Sequence, residues 1–264
     1  MHESIYTIQG CPAFLALLSD LHNGDPTPVI RSLRSHHPSL ICVTGDVIYG
    51  SRPKDDLSPL KTQPKALVFL ESCASIAPTF MSFGNHEWML DEADIREIEK
   101  TGVTVLDNGW RTIQVEGRNT VLAGLTSGYL TEYRTFRATQ DLTVRYPKND
   151  NLAGVRWAAA KHEPDVSWID EYSSVPGYHI LLCHHPEYWP LVKEKKIEMV
   201  LSGHAHGGQW RFFGQGLFGP GQGFLPRWTK GVYDGKLIVS AGLSNTLWIP
   251  RIGNPVEVVY IEGS

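Results

Sequence analysis

Five times along this chain a short, largely apolar run stops at a polar motif. Residues 13–18 run into Ser19-Asp20-Leu21-His22-Asn23-Gly24, 40–43 into Thr44-Gly45-Asp46, and 79–82 into Phe83-Gly84-Asn85-His86-Glu87. Residues 178–183 run into His184-His185-Pro186, and 197–201 into Ser202-Gly203-His204-Ala205-His206-Gly207-Gly208. Apolar runs this short read as strands buried on both faces. Helical patterns follow at 28–36, with Thr27 as the expected cap, at 64–76, and at 91–100, whose acidic start and basic end suit the helix dipole.

Strand, motif and helix in repetition predict an α/β fold with right-handed crossovers. Ligands of open α/β sheets gather at the carboxyl ends of strands, and all five motifs fall there, crowded at one sheet edge. The remaining chain reads as a polar loop at 51–63, a hairpin of 112–116 and 120–125 through Gly117, a second hairpin at 231–239 turning at Asp234-Gly235, and a last strand at 256–261. Residues 126–177 are least legible, with helical character at 157–161 and at 165–172 after Pro164. Residues 207–231 are rich in Gly, Trp and Phe without a period, and a loop of that length usually has a job. No linker divides the chain. The expectation is one domain over 1–264, with an insertion near 126–177 and the Gly/aromatic loop 207–231.

With 264 residues, 42% of them hydrophobic and 10% aromatic, the chain can build a sizeable core. Its net charge of −4 gives no general attraction to nucleic acid. No apolar run is long enough for a transmembrane helix. The stretch 13–18 is too short for a signal sequence, and Cys11 precedes it, which argues against a lipid anchor. The four cysteines share no C-x-x-C spacing; Cys42 and Cys183 sit inside apolar runs and read as buried thiols. A reducing, cytoplasmic setting is expected.

The strand-end motifs supply Asp20, His22, Asp46, Asn85, His86, His184, His204 and His206. This oxygen and nitrogen set without thiolate suits divalent manganese or iron, with zinc an alternative. So many polar side chains crowded together are costly to bury unless cations offset the carboxylate repulsion and use the imidazole lone pairs. One carboxylate must bridge if two metals are to sit close together.

Asp20-x-His22, Gly45-Asp46, Gly84-Asn85-His86-Glu87, His184 and Gly203-His204-x-His206, in this order, resemble the calcineurin-type metallophosphoesterase signature. The resemblance implies a sandwich of two mainly mixed β-sheets flanked by helices. It implies that Asp20, His22, Asp46 and His206 hold one divalent metal, that Asp46 bridges, and that Asn85, His184 and His204 complete a second. His86 is left near the substrate. The implied reaction is attack on a phosphoester, a mono- or diester, by a metal-bridging hydroxide, with His86 assisting the leaving group. Pyrophosphate cleavage in a nucleotide-sugar or lipid-linked substrate is the alternative. Phe83 and Val47-Ile48-Tyr49-Gly50 stand where the Ser/Thr phosphatase branch has an arginine and an Asp-Arg pair, which disfavours a phosphoprotein substrate. The Gly203–Gln209 motif looks more like a bacterial, membrane-associated branch.

Plainer readings stand beside these. His2, His36, His37, His162 and His179 lie outside the pattern and read as ordinary histidines. His184 is preferred to His185 as ligand because it directly follows its strand. Glu87 reads as a capping carboxylate. Asn23 is either a turn residue or a substrate contact, and Arg211 and Arg227 are candidate phosphate contacts. Trp210, Phe212, Phe213, Phe218, Phe224 and Trp228 read as a local hydrophobic cluster; a substrate lid or peripheral membrane contact through 210–228 is the sharper reading. A catalytically inactive scaffold and a nuclease are the competing classes. Retention of His86 and every ligand argues against the first, and the acidic balance against the second.

Overall fold

The structure, a computed structural model, describes residues 1–50, 58–88, 90–131, 162–245 and 249–264. In chain order its elements are β1 (His2–Ile8), β2 (Leu15–Leu18), α1 (Thr27–His36), β3 (Leu40–Val43), α2 (Pro59–Thr62), α3 (Pro64–Ala74), β4 (Thr79–Met81), α4 (Glu92–Lys100), β5 (Thr104–Val105), β6 (Gly109–Val115), β7 (Arg118–Leu125), α5 (Ile169–Ser174), β8 (Tyr178–Cys183), α6 (Trp189–Val192), β9 (Met199–Ser202), β10 (Arg211–Phe212), β11 (Gln215–Gly216), β12 (Phe218–Gly219), β13 (Gly223–Phe224), β14 (Gly231–Tyr233), β15 (Leu237–Val239) and β16 (Glu257–Gly263).

Two six-stranded mixed sheets form, in the orders β1-β16-β2-β3-β4-β5 and β14-β15-β9-β8-β7-β6. The single sheet edge expected from the strand motifs is therefore two edges, three motifs on the first sheet and two on the second. The alternation of side chains along each strand explains the layering. Leu15 and Leu17 of β2 join Leu40, Leu122, Leu182 and Leu201 in a core between the sheets. Ala16 and Leu18 point the other way, into a core with Leu33 of α1 and Phe69 of α3. On the outer face of the second sheet, Ala123, Leu181 and Val200 pack with Ile169 and Tyr172 of α5 and Trp189 of α6. Strands covered on both faces have no polar side to show, so β2 and β3 are wholly apolar and β8 and β9 are buried along their length, with His179 and Ser202 as their polar members.

Several boundaries differ from the sequence reading. Thr27 is the first residue of α1 rather than its cap; its backbone N–H donates to the Asp25 carboxylate at 3.0 Å. Within the expected loop 51–63, Pro59–Thr62 is a turn of helix, and 51–57 lie outside the described residues. The helix read at 165–172 starts later, at Ile169, because Asp165 closes a turn by accepting the Ser167 N–H at 3.0 Å and hydroxyl at 2.7 Å. The helical stretch read at 157–161 lies outside the described residues. Strand β1 was unread: it lies at the sheet edge, largely exposed, and carries no continuous apolar run. All four cysteines are buried and free, and no described helix is long and apolar enough to cross a membrane.

Candidate metal centre

Strands β2, β3 and β4 are parallel neighbours, so Asp20, Asp46 and Asn85-His86 leave the first sheet side by side. Strands β8 and β9 are parallel neighbours in the second sheet and deliver His184, His204 and His206. The loops are tied together: Asp20 N–H donates to Gly45 O (3.1 Å), His22 N–H to Asp46 O (2.9 Å) and Gly203 N–H to His184 O (3.0 Å). Asp20, His22, Asp46, His204 and His206 all adopt left-handed backbone, with φ between 47° and 63°. Such a conformation is uncommon outside glycine and turns the chain sharply at the strand end. The approach of the sheets is close enough that Gly203 has no room for a Cβ, which would overlap the Ser19 hydroxyl and the Asp20 carboxylate.

The result is a chain of donors passing through shared atoms. Asp20, His22 and His206 offer ligand atoms within 4.8 Å of one another; so do Asp46, His184 and His204, and so do His22, Asp46 and His86. Asp46 Oδ2 lies 3.0 Å from His184 Nε2 and 3.9 Å from both His22 Nε2 and His86 Nε2. Asp20 Oδ1 lies 3.5 Å from His206 Nε2 and 3.7 Å from His22 Nε2. Buried atoms left without a hydrogen-bond partner collect here: Asp20 Oδ1, both ring nitrogens of His22, Asp46 Oδ2, Asn85 Oδ1 and His184 Nε2. Orphaned buried polar atoms are costly, and these all belong to the candidate ligands. The donor set therefore fits cations. His184 shows the tautomer a ligand needs: its Nδ1–H donates to Thr44 O at 2.9 Å, leaving the Nε2 lone pair free.

The electrostatics agree. Burial opposes ionisation of both carboxyls, yet His206 and His22 hold Asp20, and His184 and His86 hold Asp46, well below the usual carboxylate range. Burial, reinforced by neighbouring imidazoles, keeps His204 and His206 neutral, each pulled down to about 3. His184 goes the other way: despite burial, Asp46 pushes it up to about 9. In the metal-free protein a proton on His184 occupies the place a cation takes.

The calcineurin-like phosphoesterase family matches residues 15–208. This chain belongs to that family. Its members are metal-dependent hydrolases of phosphoester bonds with a binuclear centre. The chain is 24% identical over 258 residues to an uncharacterized metallophosphoesterase, YkoQ, of Bacillus subtilis, covering 92% of this chain and 80% of that one. It is 21% identical to the UDP-2,3-diacylglucosamine pyrophosphatase LpxG of Chlamydia trachomatis, covering 73% of this chain and 63% of that one. Against the curated relatives it matches, the chain often spans about two thirds of their length or less. A dimetal phosphatase from Danio rerio has the same fold, with a TM-score of 0.50 at 12% identity over 88% of each chain.

In this family member His86 is held as a neutral donor. Gly50 N–H donates to its Nδ1 at 2.7 Å, so the ring hydrogen sits on Nε2. Burial pulls its pKa down to about 4. Glu87 is the capping carboxylate expected: it accepts the N–H groups of Gly84, Asp46 and Val47, each at 2.8 Å.

The remaining candidates are engaged elsewhere. Asn23 Oδ1 accepts the Lys65 N–H at 3.1 Å, capping α3. Arg211 donates to Gly207 O (2.9 Å), to the Thr229 hydroxyl (2.7 Å) and to Gly214 O, knitting its own loop. Arg227 lies over the Trp228 ring. The aromatic loop is not a closed cluster: Phe213, Phe224, Leu225 and Phe212 are 109%, 86%, 66% and 49% exposed. Two hairpins, β10-β11 and β12-β13, hold these side chains outward.

Sequence reading set His185 aside as a ligand and missed Glu187 and Arg251, and all three stand beside the centre. His185 sits behind His184, with Nε2 2.7 Å from the Ser127 hydroxyl. Glu187, two residues on, lies against His185 and His204. Arg251 places a guanidinium nitrogen 2.9 Å from His206 Nδ1. The segment His184-His185-Pro186-Glu187 carried a signal, a carboxylate within reach of a strand-end ligand. Arg251 carried none, because it arrives from a loop far along the chain.

Proposed function

We propose that this protein hydrolyses a small-molecule phosphoester, a mono- or diester, using two divalent cations, manganese or iron by the donor set and zinc as an alternative. Asp20, His22, Asp46 and His206 hold the first and Asp46, Asn85, His184 and His204 the second. The observation that carries this reading is Asp46 Oδ2, buried, without a hydrogen-bond partner, and within reach of histidines from both sheets. Cations bound there supply Lewis-acid charge and lower the pKa of water towards neutrality. The chain's own part is positional. Left-handed turns aim the ligands, and Thr44 holds the His184 hydrogen on Nδ1, so that Nε2 is the nitrogen that would give up its proton to a cation. His86 presents Nε2–H towards the space beside Asp46, where it can donate to a phosphate oxygen or to the departing oxygen. Cleavage of a pyrophosphate, the bond for which the Chlamydia relative is named, uses the same core.

The test is hydrolysis of aryl phosphate mono- and diesters, nucleotide sugars and lipid pyrophosphates by protein loaded with Mn²⁺. Two metals bound per chain with turnover of one class supports the reading; bound metal with no turnover of any class overturns it in favour of a binding scaffold.

One observation favours a lipid surface as the place where substrate is met, within an otherwise cytoplasmic protein. The outward Phe212, Phe213, Phe224 and Leu225 lie in a segment, 207–231, that contains Arg211, Arg227 and Lys230 and no acidic residue, with Lys230 turned inward to pair with Glu257. Apolar tips with only positive charge suit an anionic bilayer. Sedimentation with phosphatidylglycerol vesicles, lost in Phe213→Ser/Phe224→Ser protein, supports it; equal recovery of wild type and variant overturns it.

A further inference from the structure

Glu187 lies outside every motif assigned above, yet only 14% of its side chain is exposed, and the Gly/aromatic loop closes over it. Gly221 approaches so closely that a Cβ there would overlap the carboxylate. Glu187 Oε1 is 3.1 Å from His185 Nδ1 and 3.5 Å from His204 Nε2. At the far side of His185, Nε2 meets the Ser127 hydroxyl at 2.7 Å, and Ser127 Oγ accepts the Tyr129 N–H at 3.4 Å. These contacts have one consistent direction. A carboxylate oxygen only accepts, so His185 Nδ1, hydrogen-bonded to it, carries hydrogen, and at His204 the nearby negative charge, 3.5 Å from Nε2, favours the hydrogen on that nitrogen. His185 then has its lone pair on Nε2, which accepts from the Ser127 hydroxyl. His204 then has its lone pair on Nδ1, the nitrogen left for a cation.

We propose that Glu187 is a positioning residue for the second metal site, holding His204 in the Nε2–H tautomer so that Nδ1 is the ligating atom, with His185 and Ser127 fixing Glu187 in turn. Ligating histidines are commonly oriented by a carboxylate on their other nitrogen. A carboxylate facing one ring nitrogen favours a ring orientation as well as a tautomer. The inference rests on the two-metal reading for its consequence, and on the approach of a largely buried carboxylate oxygen to His204 Nε2 for the tautomer.

The experiment therefore has two arms. In the first, ¹⁵N-histidine-labelled, metal-free wild-type protein is examined by long-range ¹H–¹⁵N correlation, with His204→Asn identifying the resonances. A protonated Nε2 with a downfield, slowly exchanging proton is expected; a protonated Nδ1 overturns the proposal whether or not the protein binds metal or folds as a variant. In the second, Mn²⁺ binding is titrated in wild type and in Glu187→Gln. One of the two sites is expected to weaken about 10–100-fold with the other unchanged, and Glu187→Asp to fall between. Both sites unchanged, or both weakened equally alongside a lower melting temperature of the metal-free protein, overturns it. A wild type that binds no Mn²⁺ sinks the functional reading instead and leaves the first arm standing.

Discussion

Glu87 Oε2 accepts the backbone N–H of Asp46 at 2.8 Å, so the residue that closes one motif holds the backbone of the shared carboxylate in another. The same side chain takes the amides of Gly84 and Val47 at 2.8 Å and reaches Ile48 N–H at 3.4 Å. Removing it strands several buried amides at once, each an unsatisfied donor. We expect Glu87→Ala to lower the unfolding free energy of the metal-free protein by about 2–4 kcal/mol, read by urea titration. Glu87→Gln, which keeps an acceptor oxygen, should lose less. Equal losses would mean that charge rather than acceptor geometry matters.

Gly84 is fixed by the same neighbourhood. A Cβ there would collide with the Asp46 carboxylate, which hydrogen-bonds the backbone of His86 at 2.8 Å. Gly84→Ala should therefore displace Asp46 and weaken both metals together if Asp46 bridges them as proposed, its Oδ2 lying 3.9 Å from His22 Nε2 and 3.0 Å from His184 Nε2. We expect activity to fall more than about 100-fold, since misplacement by an ångström costs that much. The check is metal stoichiometry and turnover on one preparation. Loss at one site only would show that Asp46 is not shared.

Gly84 and the five strand-end motifs were legible because each is local. A continuous apolar run reports a strand buried on both faces, and the polar residues after it report a carboxyl end. Which sheet each strand joins is not local. Leu17 and Leu182 meet across the inter-sheet core through pairing that sequence periodicity does not encode. Arg251 was invisible as a site residue for the same reason, whereas Glu187 stood beside a strand-end ligand; the aromatic stretch allowed either a closed cluster or an outward patch, and the hairpin geometry turns Phe213 and Phe224 outward.

His86 is expected to work as a neutral donor. Its Nδ1 is taken by Gly50, and its pKa lies at about 4, so it does not change charge between pH 5 and 8. The pH profile of kcat/KM should show no ionisation from this ring near pH 6.5. His86→Gln should lower kcat about 10²–10³-fold without changing the shape of the profile. A basic limb near pH 6.5 that disappears in the variant would assign His86 a cationic role instead.

Acid should unfold the metal-free protein earlier than alkali does. Burial holds His204 and His206 at about 3 and His86 at about 4, against about 6.5 in the unfolded chain. Between those values the unfolded chain binds more protons, so these rings subtract from stability as pH falls. Asp20 and Asp46, both lowered, add to the loss as pH falls through the carboxylate range. Glu87, raised by burial and Asp46 to about 7, offsets one ring between pH 7 and 4.5. His184, raised to about 9, contributes fully below about 6.5 and loses that contribution as pH rises towards 9. We expect the melting temperature in chelator to be about 10 °C lower at pH 4 than at pH 6.5. A rise on acidification would refute the balance.

Arg251 and a metal ion compete for one ring. The guanidinium only donates, so its contact at 2.9 Å uses the His206 Nδ1 lone pair and leaves the ring hydrogen on Nε2, the atom facing Asp20 at 3.5 Å. A cation bound through Nε2 needs that hydrogen on Nδ1, where it would meet the guanidinium. Loading the proposed first site would therefore turn Arg251 away, and its positive charge would oppose the incoming metal. Arg251 also donates to the carbonyls of Ala241 (2.6 Å) and Ser244 (2.5 Å), so it contributes to the fold that its charge works against in metal binding. Arg251→Met should accordingly move two measurements in opposite directions. The metal-free protein should lose about 1–2 kcal/mol of stability, while Mn²⁺ at the site of Asp20, His22 and His206 should bind about three- to tenfold more tightly, the size of a screened charge–charge contact. If affinity falls together with stability, Arg251 supports His206 as a ligand rather than competing for it.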